Sequence, residues 1–164
     1  MAHRLNGVSC KTLLVAAVVG CAMAPAAFAQ PAGQAAADPA AVVEARQTQM
    51  KRLKDVMKTV TGYVKDGAGT PADVKAAALV ASDVASKVPN LYPKGTQVGV
   101  GKSETLPAAW EQWDKFLAAN KAMGEAGVKL AAAADTGNKD AIAGAFKGLG
   151  ASCGACHDNF RQKK

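Results

Sequence analysis

Apolar residues along this chain recur at helical rather than strand spacing. After Asp38-Pro39, a capping residue followed by proline at the first helical position, the row Val43, Arg46, Met50, Leu53, Met57, Val60 and Val64 repeats every three or four residues. It predicts a first helix that stops at Asp66-Gly67-Ala68-Gly69, where glycines break the pattern. Thr70-Pro71-Ala72-Asp73 is a second start, with a capping residue, proline and an acid in the third position. Val74, Ala77, Ala81, Val84 and Val88 then repeat before Pro89. That face is small, so it permits close approach of a neighbouring helix or of a second copy of the chain.

From Pro89 to Thr105 the pattern lapses, with Pro93, Gly95, Gly99 and Gly101 as breakers. A loop of this length in a small helical domain is usually functional or a cover. Pro107 opens a third helix whose row is Trp110, Trp113, Leu117, Asn120, Met123, Gly127, Leu130 and Ala134. Asp135-Thr136-Gly137 turns the chain, and Asn138 caps a fourth helix with Ile142, Phe146, Leu149, Cys153, Cys156 and Phe160 inward. Gly144, Gly148, Gly150 and Gly154 weaken that last helix but let flat groups approach its backbone. Four amphipathic helices with a long middle connection predict an all-α fold, an antiparallel four-helix bundle.

Composition changes the picture at the N-terminus. Residues 1–29 read as an export signal: Arg4 and Lys11 make the positive start, Leu13 to Ala24 an apolar run, and Ala27-Phe28-Ala29 a small-X-small cleavage site before Gln30. The run is too short and wrongly flanked for a stable transmembrane helix. Val18-Val19-Gly20-Cys21 offers an alternative, a lipidated N-terminus at Cys21. The expected organisation is a signal peptide over 1–29, a flexible tail over 30–38 and a helical domain over 39–164, with a periplasmic destination.

Removing the leader also removes Cys10 and Cys21, which leaves Cys153 and Cys156. Without Arg4 and Lys11, 18 of the 20 basic residues face 13 acidic ones, a mature charge of +5. These charges are scattered and read as a solubilising surface, with a mild capacity to steer an anionic partner. No basic run is interleaved with aromatics, so nucleic-acid binding has no support.

Candidate chemistry concentrates in Cys153-Gly154-Ala155-Cys156-His157, near the C-terminus. This is the attachment pattern of a c-type haem. Thiols three residues apart on a helix lie on one side, where they can add across the two vinyl groups of a porphyrin. His157 follows one turn beyond Cys153 and can aim a ring nitrogen at the iron. A redox disulfide would expect a strand-helix context, and a zinc site would need further ligands that the mature chain does not offer. One haem c, covalent through Cys153 and Cys156, is therefore the expected cofactor.

Arg46 stands in an inward row, where an unpaired guanidinium is costly to bury. A haem propionate is a fitting counter-charge; alternatively the side chain snorkels to water from near the helix start. Met50 lies one turn on, and Met50, Met57 and Met123 are the mature thioethers, each either core filler or an iron ligand. Arg161, four residues past His157 on the expected helix face, either contacts propionate or complements the helix dipole. Trp110 and Trp113 read as core or haem-edge packing.

Taken together, Cys153 to His157 with Arg161 after it, Arg46-Gln47 followed by Met50, and Leu106-Pro107 with Trp110 resemble the class II c-type cytochromes, the group of cytochrome c-prime and its low-spin c-556-type relatives. The resemblance implies that Arg46 and Gln47 contact the haem edge, that His157 is the proximal ligand, and that Glu104 approaches the haem from the loop. It also makes position 50 decisive. A ligating Met50 gives a six-coordinate electron carrier, and a non-ligating one leaves iron open to nitric oxide or carbon monoxide. The expected function is electron transfer, with gas binding as the alternative and a redox protein or small gas as partner. A homodimer through helices one and two is a further expectation. Peroxide chemistry would need a distal acid-base group, and the mature chain has no second histidine to supply it.

Overall fold

The computed structural model describes residues 38–163. The leader over 1–29, Cys10, Cys21 and the tail before Asp38 lie outside the described residues. Helix α1 spans Pro39–Thr61 and begins as its sequence dictates, with the Asp38 carboxylate accepting from the Ala40 N–H at 3.0 Å. One wider π turn, Gly62–Asp66, extends it, and Gly67 ends it in the left-handed region at φ 68°, where glycine has no steric penalty. Helix α2 spans Pro71–Lys87 and opens on a complete capping box between Thr70 and Asp73. A single 3₁₀ turn, Val88–Leu91, follows.

The expected third helix is not continuous. A short helix α3, Ala108–Glu111, is separated from the long α4, Trp113–Asp135, by Gln112 at φ −119° and ψ 48°. The cause lies in what holds α3: Trp110 Nε1 donates to the Tyr92 carbonyl at 2.8 Å, and the Leu106 N–H donates to the Phe160 carbonyl at 2.9 Å. These bonds tie α3 to the loop and the chain end, so its axis need not follow α4. Asn120, Met123, Gly127, Leu130 and Ala134 are buried as expected, but nearer the break the inward positions are Ala109 and Phe116. Trp110, Trp113 and Leu117 are left only partly buried.

Helix α5, Lys139–Phe160, starts on Asn138, whose side chain accepts from the Ala141 N–H at 3.0 Å. Four long helices, α1, α2, α4 and α5, thus form the bundle, with Val60, Val74, Val84, Leu130, Ile142 and Leu149 at its centre. None of the described helices is long and apolar enough to cross a membrane.

The small face of α2 is occupied by α4. A Cβ added at Gly127 would lie 2.9 Å from the Ala78 carbonyl oxygen, and one at Gly124 would lie 2.9 Å from Ala85 Cβ. Ala78 and Ala85 are buried there together with the expected Ala81. This row is therefore spent inside the molecule, and only the outer faces of α1 and α2 are left for a second copy.

The connection over residues 92–107 lies across one end of the bundle. Thr105 and Arg161 form an antiparallel bridge, and the Gln162 N–H donates to the Glu104 carbonyl at 2.8 Å. Helix α5 therefore ends at Phe160, and Arg161 is extended at φ −114° and ψ 136° rather than sitting on the helix face one turn past His157.

Candidate haem site

Helices α1, α4 and α5 and the 92–107 connection enclose a cavity of about 700 Å³, within the usual range for a cofactor site. Arg46, Gln47, Met50, Glu104, Cys153, Cys156, His157 and Arg161 all line it. The expected site residues are thus brought together from three separate parts of the chain: α1, the loop, and the C-terminal stretch of α5 with Arg161.

Helix α5 supplies one wall. Cys153, Cys156 and His157 are each half-buried. Burial, followed by the neighbouring Cys153, pushes the Cys156 thiol up to about 11. Cys153 is likewise raised by burial. Both are neutral thiols at pH 7, as suits groups destined for uncharged thioethers. His157 moves the other way: burial, then the Arg161 charge, lowers its pKa against the smaller pull of Asp158 and Glu104. The ring is neutral at pH 7 and keeps a lone pair for a metal.

Helix α1 supplies the opposite wall through Met50, Leu53 and Met57. A Cβ at Gly150 of α5 would touch Met57 Cε at 3.7 Å, so the tip of Met57 reaches α5 near Gly150. They run antiparallel: the end of α1 near Arg46 and the end of α5 near Arg161 both meet the 92–107 connection. Seven residues back from Met57 is Met50, and seven on from Gly150 is His157. Equal rise along both helices puts Met50 level with His157 across the cavity. Met57 lies about two turns away, so register separates the two methionines where sequence could not.

Arg46 does not snorkel. It is 3% exposed, its Nη2 donates to the Thr96 carbonyl at 2.7 Å and to Ser103 Oγ at 3.3 Å, and its guanidinium stands 4.3 Å from the centre of the Tyr92 ring. Part of the charge is therefore met by the loop, through bonds that no helical periodicity reveals. Nη1 remains buried without a partner. A buried cationic donor with nothing to bind calls for an anionic acceptor, and a haem propionate fits. Gln47 is turned to the same loop, its Nε2 donating to the Lys102 carbonyl at 2.6 Å.

Several lining residues escaped sequence reasoning. Tyr92 comes from the loop; burial raises its pKa, so it stays a protonated phenol. Phe116 and Asn120 come from α4. Phe116 contacts Tyr92, Trp113 and Phe160, with ring centres 4.6, 5.3 and 5.5 Å away. The two tryptophans are packed behind this cluster and are absent from the cavity wall. The signal for Phe116 was present in its spacing to Asn120 and Met123; the row through Trp113 and Leu117 masked it.

Apolar walls, two thiols and an imidazole on one helix, a thioether opposite, and an orphaned cationic donor together suit a covalently held haem. Among the described residues no group of three or more His, Cys, Asp or Glu converges as a bare metal site would require. Comparisons with known proteins agree. The profile of the family described as Cytochrome C' matches residues 41–161. Cytochrome c' of Rhodospirillum rubrum is 34% identical over 126 residues, covering 77% of this chain and 85% of that protein. Cytochrome c-556 of Agrobacterium fabrum is 34% identical over 155 residues, 94% of this chain and 97% of that one. Among solved structures, the nitric oxide complex of a mutant cytochrome c prime from Alcaligenes xylosoxidans superposes with a TM-score of 0.69 at 32% identity, covering 78% of this chain and 98% of that chain. The chain belongs to the cytochrome c' family, a class II c-type cytochrome that carries haem c covalently through Cys153 and Cys156.

Proposed function

We propose that this protein is an exported, periplasmic electron carrier in which His157 is the proximal and Met50 the distal ligand of the haem iron. What supports the reading is the antiparallel run of α1 along α5 with the tip of Met57 near Gly150, from which equal helical rise brings Met50 to about the height of His157. Bound haem supplies a one-electron ferric/ferrous couple. The chain's own residues do the rest. Cys153 and Cys156 fix the ring to α5, and the neutral His157 ring offers its nitrogen. Arg46 Nη1 neutralises a propionate, Gln47 and Glu104 close the loop end, and Arg161 flanks the histidine side. Met50, a thioether, favours the reduced iron and raises the potential. No residue is assigned a catalytic step in this reading.

Optical spectra of the ferric and ferrous protein, with Met50→Ala beside the parent, test the proposal. Expected are low-spin spectra in both states and a sulphur-to-iron charge-transfer band near the red edge that disappears on substitution. A high-spin spectrum unchanged by Met50→Ala would overturn it.

That result would instead favour gas binding. A solved relative 32% identical to this chain is a nitric oxide complex, and Leu53 and Met57 beside Met50 would give a small diatomic an apolar recess. The second copy, in either reading, would meet the outer faces of α1 and α2, where Leu79 is 50% exposed. Another solved relative is described as having a ligand-controlled dimer dissociation.

A further inference from the structure

Among the described residues, two buried side-chain polar atoms have no hydrogen-bond partner: Arg46 Nη1 and Asn120 Oδ1. Both belong to residues lining the haem cavity. The first is a donor, and an ionised propionate answers it. The second is an acceptor, and ionised haem has no N–H or O–H to offer it.

The orientation of the Asn120 amide is not arbitrary. Its Nδ2 donates to the Ala85 carbonyl at 2.8 Å, and a carbonyl can only accept, so the nitrogen must be the atom on that side. Ala85 needs this donor because the residue four positions on, which would normally supply an N–H within the helix, is Pro89. The donor end of the amide thus completes α2. Its acceptor end is left over, on a residue 8% exposed that lines the cavity together with Phe116, Ala119 and Met123.

A carbonyl dipole whose negative end is uncompensated, in the low-dielectric wall of a redox cofactor's cavity, favours whichever oxidation state carries more positive charge. For haem that is the ferric state. We infer that Asn120 is a potential-setting residue, which holds the haem of this protein at a lower midpoint potential than an all-apolar wall would. It is a positioning residue and not a ligand. The inference rests on haem occupying this cavity and is independent of whether Met50 binds the iron.

Redox titration of the holoprotein carrying Asn120→Leu, a substitution of similar volume, tests it. The ferric/ferrous equilibrium should shift severalfold toward the ferrous form, where a tenfold shift corresponds to about 59 mV for one electron. The absorption spectrum should keep its spin state. A purely structural Asn120, present only to satisfy Ala85, predicts lower stability toward urea with no change in potential, and that outcome would overturn the inference. So would a fall in potential, or a rise accompanied by a changed spin state.

Pro89→Ala restores an N–H for the Ala85 carbonyl and guards against loss of folding in the single variant. Pro89→Ala/Asn120→Leu should show the same rise relative to Pro89→Ala alone, and equal potentials in that pair would equally overturn it. The spin state of the unsubstituted protein reports on Met50 separately, so failure of one idea leaves the other standing.

Discussion

Gly127 and Gly148 can receive the same substitution, to alanine, in two helix interiors with opposite surroundings. At Gly127 of α4 the new Cβ would stand 2.9 Å from the Ala78 carbonyl oxygen and 3.1 Å from both Ala81 Cβ and Ser82 Oγ. The nearest obstacle is backbone, which cannot swing aside as a side chain can. At Gly148 of α5 a Cβ meets nothing within 4 Å. Both variants restrict the unfolded chain alike and gain about 1 kcal/mol of helix propensity. Only Gly127→Ala adds overpacking, at a cost of about 1–3 kcal/mol. Gly148→Ala should therefore stabilise by about 1 kcal/mol, and Gly127→Ala should fall between neutral and about 2 kcal/mol destabilising. Their difference isolates the close approach of α2 and α4. Urea denaturation of the holoprotein, followed by helical circular dichroism with m values checked for equality, measures it. Equal stabilisation by both substitutions would refute the close contact, and with it the placing of the wall that carries Phe116, Asn120 and Met123.

Arg46→Met keeps the apolar stem but deletes a cation in the cavity wall, so the midpoint potential should fall, on the order of tens of millivolts; an unchanged potential in a redox titration would separate Arg46 from the haem. Thr70→Ala should cost about 1 kcal/mol in urea denaturation, through loss of the capping bond to the Asp73 N–H. Asp73 itself is held below the usual carboxylate range by the Thr70 hydroxyl and then by the Thr70 N–H. A lowered folded-state pKa stabilises above the unfolded value and is lost as pH falls through the folded one. The stability gap between the parent and Asp73→Ala should thus be open at pH 7 and close in the acid range, and a gap constant with pH would count against the capping box. Lys51 and Lys54 are exposed at the cavity mouth. Lys51→Glu/Lys54→Glu should slow oxidation of the ferrous protein by ferricyanide severalfold at low salt, with the effect fading as salt rises. The distant pair Lys129→Glu/Lys139→Glu changes net charge equally and should do less, as stopped-flow rates would show.

Most of the bundle was legible because long helices announce themselves locally. Asp38-Pro39 and Thr70-Pro71 each begin a helix where a capping side chain and a preset φ make a start favourable, Asn138 begins one on its capping side chain alone, and those starts are in place. What sequence could not give was decided by partners far along the chain. The break at Gln112 depends on Tyr92 and Phe160 holding α3. The extended Arg161 depends on Thr105 pairing with it, and the burial of Arg46 depends on Thr96 and Ser103 arriving from the loop. Periodicity reports which face of a helix turns inward and is silent on what comes to meet it. The same limit explains the methionines: Met50 and Met57 share one row, and only the contact of Met57 with α5 near Gly150 tells them apart.

The two orphaned polar atoms bear on why this cavity is not simply greasy. An apolar enclosure disfavours the ferric state, which carries the greater charge, and so drives the potential up. Arg46 pushes in that same direction, although a propionate takes up much of its charge. Asn120 opposes both from a different helix. A leucine at position 120 would fit the neighbouring Phe116, Ala119 and Met123 without leaving an acceptor unsatisfied, yet Ala85 would then lose its donor because Pro89 cannot replace it. Pro89 in turn ends α2 and releases the chain into the loop that carries Tyr92, Ser103 and Thr105 to the cavity. One proline thus links three features: the loop that anchors Arg46, the carbonyl that fixes the Asn120 amide, and the uncompensated oxygen that amide leaves in the cavity wall. The polarity of the site follows from how the fold terminates a helix, and a redox potential responsive to Asn120 is the measurable trace of that connection.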